Sequence, residues 1–258
     1  MKILFIGDII GTPGRLAAAR VVKEFKSKVD FIIASAECAN KNGTAIKQDD
    51  IKELTGMGIN CITSGERVWG EKTTFEFLKT NPTNLLRPLN YPPGVPGLGS
   101  FIYPQGVGVI NLLGRSFLAN IDCPFRLGIE EIVKIKSASG GQTKIIIVDF
   151  HGQTTAEKQA FSWWVDGKVS AVLGTHTIAQ TGDEKIMPKG SAYITSVGMT
   201  GVQEAIGGMQ EKLYIDYFLK GIPVKHKPAE GEGKVNAVIL EIDDSTGSAL
   251  NIERLYNI

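Results

Sequence analysis

Ile145-Ile146-Ile147-Val148-Asp149-Phe150-His151 places four consecutive branched aliphatic residues ahead of an acid, an aromatic ring and an imidazole. A short apolar run rich in β-branched residues reads as a strand, here over Lys144–Phe150, and it carries its polar residues to its carboxyl end. The same arrangement recurs along the chain. Ile3-Leu4-Phe5-Ile6 ends in Gly7-Asp8, Phe31-Ile32-Ile33-Ala34 leads to Glu37, Cys61-Ile62-Thr63 to Gly65-Glu66-Arg67, and Val172-Leu173 to Gly174-Thr175-His176. Five strands thus deliver a carboxylate or an imidazole to their carboxyl ends.

Longer amphipathic segments separate these runs, which is the pattern of an α/β fold. Helices are predicted at Pro13–Phe25, Gln48–Met57, Thr73–Leu78, Gly128–Ile135, Ala156–Val165 and Glu204–Phe218. Further strands are predicted at Ser100–Tyr103, Gly106–Leu113, Ala192–Val197, Val235–Ile242 and Ala249–Tyr256. Together they describe two sheets packed face to face and flanked by helices, in a single domain over residues 1–258.

Composition agrees with that architecture. Hydrophobic residues make up 43% of the 258 and charged residues 21%, enough apolar material for a large core. The 28 Lys+Arg and 27 Asp+Glu leave a net charge of +1, which argues against bulk electrostatic binding to nucleic acid or to an anionic membrane. Cys38, Cys61 and Cys123 show no C-x-x-C spacing and are too few to staple the chain, which suits a reducing compartment. With no signal-peptide core near Met1 and no apolar run approaching the ~20 residues of a membrane span, the expected location is cytoplasmic. The 30 glycines exceed the usual ~7% and imply many tight turns.

In open α/β sheets, ligands bind at the carboxyl edge, where loops and helix N-termini converge. Oxygen and nitrogen donors collected there from separate strands suit a divalent transition metal, Mn, Fe or Zn, better than Ca or a structural zinc knot. Taken singly, Asp8, Glu37 or Glu66 also reads as a helix-capping or loop carboxylate.

Six motifs span nearly the whole chain: Gly7-Asp8-Ile9-Ile10-Gly11, Arg87-Pro88-Leu89-Asn90-Tyr91-Pro92, Asp122-Cys123-Pro124-Phe125, Val148-Asp149-Phe150-His151, Gly174-Thr175-His176-Thr177 and Val197-Gly198-Met199-Thr200-Gly201. In this order they resemble the YmdB-like metallophosphoesterases, bacterial members of the calcineurin-like phosphoesterase fold. The resemblance implies a helix-flanked two-sheet sandwich with a dinuclear metal site at the strand ends. It also implies phosphodiester hydrolysis, with cyclic nucleotides as substrates.

The resemblance assigns one metal to the first-strand aspartate, a shared glutamate, the asparagine after that glutamate, and the second histidine of a Gly-Thr-His-Thr-His run. Asp8 and Glu37 match, whereas the asparagine position holds Cys38 and the last histidine is Ile178. A cysteine thiolate can bind Zn or Fe, and Cys38 also reads as a small buried hydrophobe; Ile178 offers no donor. The second metal is assigned to the shared glutamate, an asparagine and two histidines. Glu37, His151 and His176 match, and Glu66 stands in the asparagine position. Two carboxylates and two neutral imidazoles balance a divalent charge, so at most one ion is expected, in this half-site. The position implied for a catalytic histidine holds Arg67, which cannot act as a general acid but can clamp a phosphate. Losing general-acid help costs roughly 10²–10⁴ in rate. Arg67 has two other readings: it pairs with Asp8 and Glu37 in place of the first metal, or it points to solvent.

Two functions therefore stay open. One is a degenerate phosphoesterase homologue, with weak or absent phosphodiesterase activity, that acts by binding a protein partner or nucleotide or by assembling into a homo-oligomer. The other is an active single-metal phosphodiesterase on a phosphate-containing small molecule, using Glu37, Glu66, His151 and His176, with Arg67 on the phosphate. Among weaker signals, Trp163-Trp164 predicts one ring in the core and one at the surface, and the Pro/Gly loop at 90–99 reads as a lid or a rigid turn. Ser196 stands where the resemblance has an aspartate, and His226 reads as solvated.

Overall fold

This computed structural model describes residues 1–118, 120–225 and 227–258, so the reading of His226 lies outside the described residues. Strand β1 (Lys2–Ile6) turns Ile3 and Phe5 to one face and Leu4 and Ile6 to the other, and all four are fully buried. A strand whose alternating side chains are apolar on both faces needs cover on both.

The rest of the chain supplies it. After β1 come β2 (Asp8–Ile9), α1 (Gly11–Phe25), β3 (Phe31–Ser35), α2 (Gln48–Met57), β4 (Cys61–Thr63), α3 (Lys72–Leu78) and β5 (Leu85–Leu86). The middle comprises β6 (Ser100–Ile102), β7 (Val107–Leu113), α4 (Pro124–Ala138), β8 (Ile145–His151), α5 (Thr155–Val165) and β9 (Ala171–Thr175). Then follow β10 (Lys185–Ile186), β11 (Ala192–Ile194), β12 (Met199–Thr200), α6 (Glu211–Lys220), β13 (Ala237–Ile242) and β14 (Ala249–Leu255).

Two six-stranded sheets form, in the orders β14-β13-β1-β3-β4-β5 and β10-β11-β9-β8-β7-β6. In each, four neighbouring strands are parallel: β1-β3-β4-β5 in the first and β11-β9-β8-β7 in the second. The carboxyl ends of those strands therefore share an edge. Ile3, Phe5, Phe31 and Ile33 meet Val107, Val109, Ile145 and Ile147 in the core between the sheets. On the outer face of the first sheet, Leu4 and Ile6 pack with Ala17, Val21, Val22, Ile51 and Leu54 of α1 and α2. On the outer face of the second, Ile146 and Val148 pack with Ile132 and Ile135 of α4 and Phe161 and Val165 of α5. The expected sandwich of two sheets between helices is the fold observed.

Several details differ from expectation: α4 begins at Pro124 rather than Gly128, and the two-residue strands β2, β5, β10 and β12 have no counterpart among the expected strands. β8 and β9 run on to His151 and Thr175, so these polar residues belong to the strands themselves. The last helix starts at Glu211 rather than Glu204, because Gly207 and Gly208 take φ values of +58° and +74° that no right-handed helix accommodates. Trp163 and Trp164 are both more than half exposed, at 58% and 56%. The inward face of α5 is Lys158, Phe161, Ser162 and Val165, a spacing that leaves both rings outside. Among the described residues no helix is long and apolar enough to cross a membrane.

Candidate metal centre

Four strand ends supply the donors. β3 leads to Glu37, β4 leads through Gly65 into a short helical turn beginning at Glu66, β8 ends on His151, and His176 follows β9. Ligand atoms of Glu37, Glu66, His151 and His176 all lie within 4.8 Å of one another. The Nε2 of His151 stands 3.1 Å from Glu37 Oε1, 3.4 Å from Glu66 Oε2 and 3.1 Å from His176 Nδ1. One ring nitrogen carries at most one proton and cannot satisfy three such neighbours. Glu66 Oε2 is buried without a hydrogen-bond partner. Two ligands bonded at 2.0–2.2 Å to one tetrahedral ion stand roughly 3.3–3.6 Å apart. This donor set therefore fits a divalent cation. Gly65 is required here by close approach, since a Cβ would fall 2.4 Å from His151 Nε2 and 2.5 Å from Glu37 Oε2.

Neighbouring side chains orient both rings. His151 Nδ1 lies 2.9 Å from Thr175 Oγ1, and that hydroxyl donates to Asp149 Oδ1 at 2.7 Å. Thr175 must then accept from Nδ1–H, which leaves the Nε2 lone pair facing the cluster. His176 Nε2 lies 2.7 Å from Gln153 Oε1, which likewise turns the Nδ1 lone pair inward. The His176 backbone is left-handed, at φ +84°, and its N–H donates to Asp8 Oδ2 at 2.9 Å. The fully buried Lys158 brackets it, donating from Nζ to Thr175 O at 2.7 Å and to Thr177 Oγ1 at 3.1 Å. Such a backbone persists where its surroundings over-determine it.

Burial and proximity shift the titrations. Burial raises the Asp149 carboxyl to about 7 despite the His151 charge and the Thr63 and Thr175 hydroxyls. Burial opposes charge on His151, yet Glu37 and Glu66 raise it well above the ordinary imidazole value, so without a cation a proton occupies the Nε2 position that a metal would take. Burial also opposes charge on Glu66, and is outweighed by His151, which holds that carboxyl at about 2. His176 is lowered, first by burial and then by the His151 charge.

The other half-site is different in kind. Asp8 is taken up by the Ser35 hydroxyl at 2.6 Å as well as by the His176 N–H. Cys38 packs with Ile10, Met199 and Met209, and Ile178 packs onto that cluster. Burial first, then the Glu37 charge, push the Cys38 thiol up, away from the thiolate that binds metals. Arg67 does not pair with Asp8 and Glu37 through its guanidinium, as one reading had it, nor does it point simply to solvent. Its Nη1 reaches Cys38 Sγ at 3.4 Å and its Nε lies 3.6 Å from Glu66 Oε1, while its backbone N–H donates to Glu37 at 3.0 Å. Glu37, His151 and His176 from one half and Asp8, Cys38 and Ile178 from the other open, with Arg67, onto a cleft of about 230 Å³.

Residues 4–255 match the family described as YmdB-like protein. The chain belongs to this family. It is 41% identical over 260 residues to a Bacillus subtilis (strain 168) protein named 2′,3′-cyclic-nucleotide 2′-phosphodiesterase, across 99% of this chain and 96% of that one. Among solved structures, a hypothetical protein from Thermus thermophilus superposes with a TM-score of 0.91 at 31% identity, over 99% of this chain and 98% of that one. A structure described as a novel phosphatase, from Mycoplasma pneumoniae, gives 0.90 at 31%, over 99% and 92%. The calcineurin-like phosphoesterase YfkN of B. subtilis, at TM-score 0.57 and 12% identity over 99% and 89%, shares the fold.

In this YmdB-like chain, sequence reasoning brought the four donors together and missed their supports, Thr175, Gln153 and Lys158. For Lys158 a signal existed: it stands three and four positions before Phe161 and Ser162, on the inward face of α5. A lysine in that register is either snorkelling or bonded inside.

Proposed function

We propose that the chain hydrolyses phosphodiesters with one divalent metal ion held by Glu37, Glu66, His151 and His176, and with Arg67 binding the phosphate. The observation that carries this reading is the convergence of four donor atoms within 4.8 Å, one of them an orphaned carboxylate oxygen, beside an open cleft. Names of the YmdB-like relatives support the reaction class, and cyclic nucleotides are the substrate class that the B. subtilis relative suggests. They favour a working enzyme over the binding-only alternative.

A divalent ion in this set supplies Lewis acidity toward a phosphoryl oxygen and neutralises charge. Three carboxylates, Asp8, Glu37 and Glu66, face the positive charges of Arg67 and His151, and a divalent cation that takes the place of the His151 proton adds to the charge that draws an anionic diester to Arg67. The guanidinium donates to non-bridging oxygens in a fixed fork and keeps its charge at any working pH. It cannot protonate a leaving oxygen. The chain's own residues therefore suit diesters whose leaving oxygen departs with little help, such as an aryloxide or the ring oxygen of a strained five-membered cyclic diester.

Metal analysis of the purified protein, followed by turnover of bis-p-nitrophenyl phosphate and 2′,3′-cyclic AMP with added manganese, tests the proposal. The expected result is one ion per chain and turnover abolished by His151→Ala and by chelation. Two well-occupied ions, or turnover indifferent to His151→Ala, overturns it.

A further inference from the structure

The cleft has two unlike walls. Asp8, Glu37, Arg67, His151 and His176 line one, and Ile10, Ile178, Ile206, Met209 and Tyr214 line the other. Ile178 and Tyr214 pack onto the buried cluster of Ile10, Cys38, Met199 and Met209, so the apolar wall is anchored in a core of its own. Its outer part is a hydrogen-bonded turn. Ile206 and Met209 exchange backbone hydrogen bonds at 3.1 and 3.0 Å across Gly207 and Gly208, and Gly208 O accepts from Ala229 N at 2.9 Å. Ile178 sits at φ +66°, a left-handed backbone that a β-branched residue rarely adopts, and strain of this kind gathers at ligand sites.

We propose that this wall is a subsite for an aromatic ring carried by the phosphoester, so that the chain selects its substrate by a flat apolar group next to the phosphate. Aliphatic carbons facing a charged wall across a cleft are covered by a ligand that is apolar at one end and anionic at the other. A ring suits this wall better than an alkyl chain does, because the Met209 thioether and the Tyr214 ring both gain from contact with a π-system. Four of the five wall residues offer only carbon or sulfur, so the ring is held by the area it buries and its edge is not read. The proposal rests on the phosphodiesterase reading only for where the phosphate lies.

Phenylphosphonate and methylphosphonate share a charged head, resist hydrolysis and differ by the ring. Calorimetric titration of each into the manganese-loaded protein reads the subsite directly. Burial of one ring is expected to make phenylphosphonate bind about tenfold tighter or more. Ile206 is 38% exposed on its turn, so substitutions there leave the core in place. Ile206→Ala should reduce the preference to threefold or less and Ile206→Asp should erase it. Affinities within twofold in the unaltered protein, no measurable phenylphosphonate binding, or a preference untouched by both variants overturns the subsite. Turnover of bis-p-nitrophenyl phosphate, followed in parallel, separates the two claims. Ring preference without turnover supports the subsite and sinks the phosphodiesterase reading, whereas turnover with equal affinities sinks the subsite alone.

Discussion

The Thr175 hydroxyl stands 2.9 Å from His151 Nδ1 and gives its own proton to Asp149. Of the two ring nitrogens, Nε2 is thereby left to face Glu37, Glu66 and His176. Thr175→Val keeps the shape and removes the acceptor. Loss of such a supporting bond costs about 10–100-fold in metal affinity. Competition with a chromogenic chelator should show that loss, with the fold unchanged by circular dichroism; unchanged affinity would remove Thr175 from the site.

Arg67 should act on substrate binding more than on the metal, because its guanidinium sits 3.6 Å from one oxygen of Glu66 and outside the four-donor cluster. Charge-assisted hydrogen bonds are worth about 1.5–3 kcal/mol, or roughly ten- to a hundredfold. Arg67→Met is expected to raise KM for bis-p-nitrophenyl phosphate by that factor while metal content stays the same. Arg67→Lys should recover part of the loss, since charge returns without the fork. A fall in bound metal equal to the fall in activity would place Arg67 in the metal site instead.

Lys158 makes a pH-dependent contribution whose sign is opposite to that of an ordinary surface lysine. Burial lowers its ammonium to about 8, against opposing charges on Asp8, Asp149 and Asp183. Between about 8 and 10.5 the unfolded chain binds a proton that the folded one does not, so stability rises with pH in that window. Below about 8 the folded state bears the full cost, about 3 kcal/mol. Urea unfolding in the presence of chelator should show the unaltered protein gaining on Lys158→Met from pH 8 to 10.5. Parallel curves for the two proteins would mean that the ammonium is hydrated.

Much of this was legible in the sequence, and for a physical reason. Runs such as Ile3–Ile6 and Ile145–Val148 are apolar at every position because both faces of their sheets are covered, and a parallel strand must present its carboxyl end to the ligand edge. Strand ends alone pointed to Asp8, Glu37, Glu66, His151 and His176 together, and the resemblance to the YmdB-like metallophosphoesterases singled out Glu37, Glu66, His151 and His176 as one set. Their supports were not legible. Thr175 and Gln153 act through atoms brought together by the pairing of β8 with β9 and by the turn after β8, which one-dimensional spacing does not encode. The expected start of α6 at Glu204 fails because Gly207-Gly208 form a turn with Ile206 and Met209 lining the cleft, and nothing in residue type alone separates a turn glycine from a helical one.

Ile178 offers a test in which stability and metal content move together. Its backbone is left-handed at φ +66°, where histidine and asparagine are several-fold enriched and a β-branched residue is strained by about 1–3 kcal/mol. The side chain is only half buried, and a histidine ring retains most of its contact with the cluster of Ile10, Cys38 and Met209. Strain relief therefore outweighs lost packing. Ile178→His is expected to stabilise the chelated protein by about 1 kcal/mol, which is roughly 2–4 °C in Tm for a chain of this size. Combined with Cys38→Asn it also adds two donors beside Asp8 and Glu37, and plasma emission analysis is expected to find two ions per chain against one in the unaltered protein. A Tm that falls on Ile178→His means that apolar packing, not backbone strain, governs this position. A Tm that rises while the double variant still binds one ion means that Asp8, held by Ser35 and the His176 N–H, no longer turns a lone pair toward the first site.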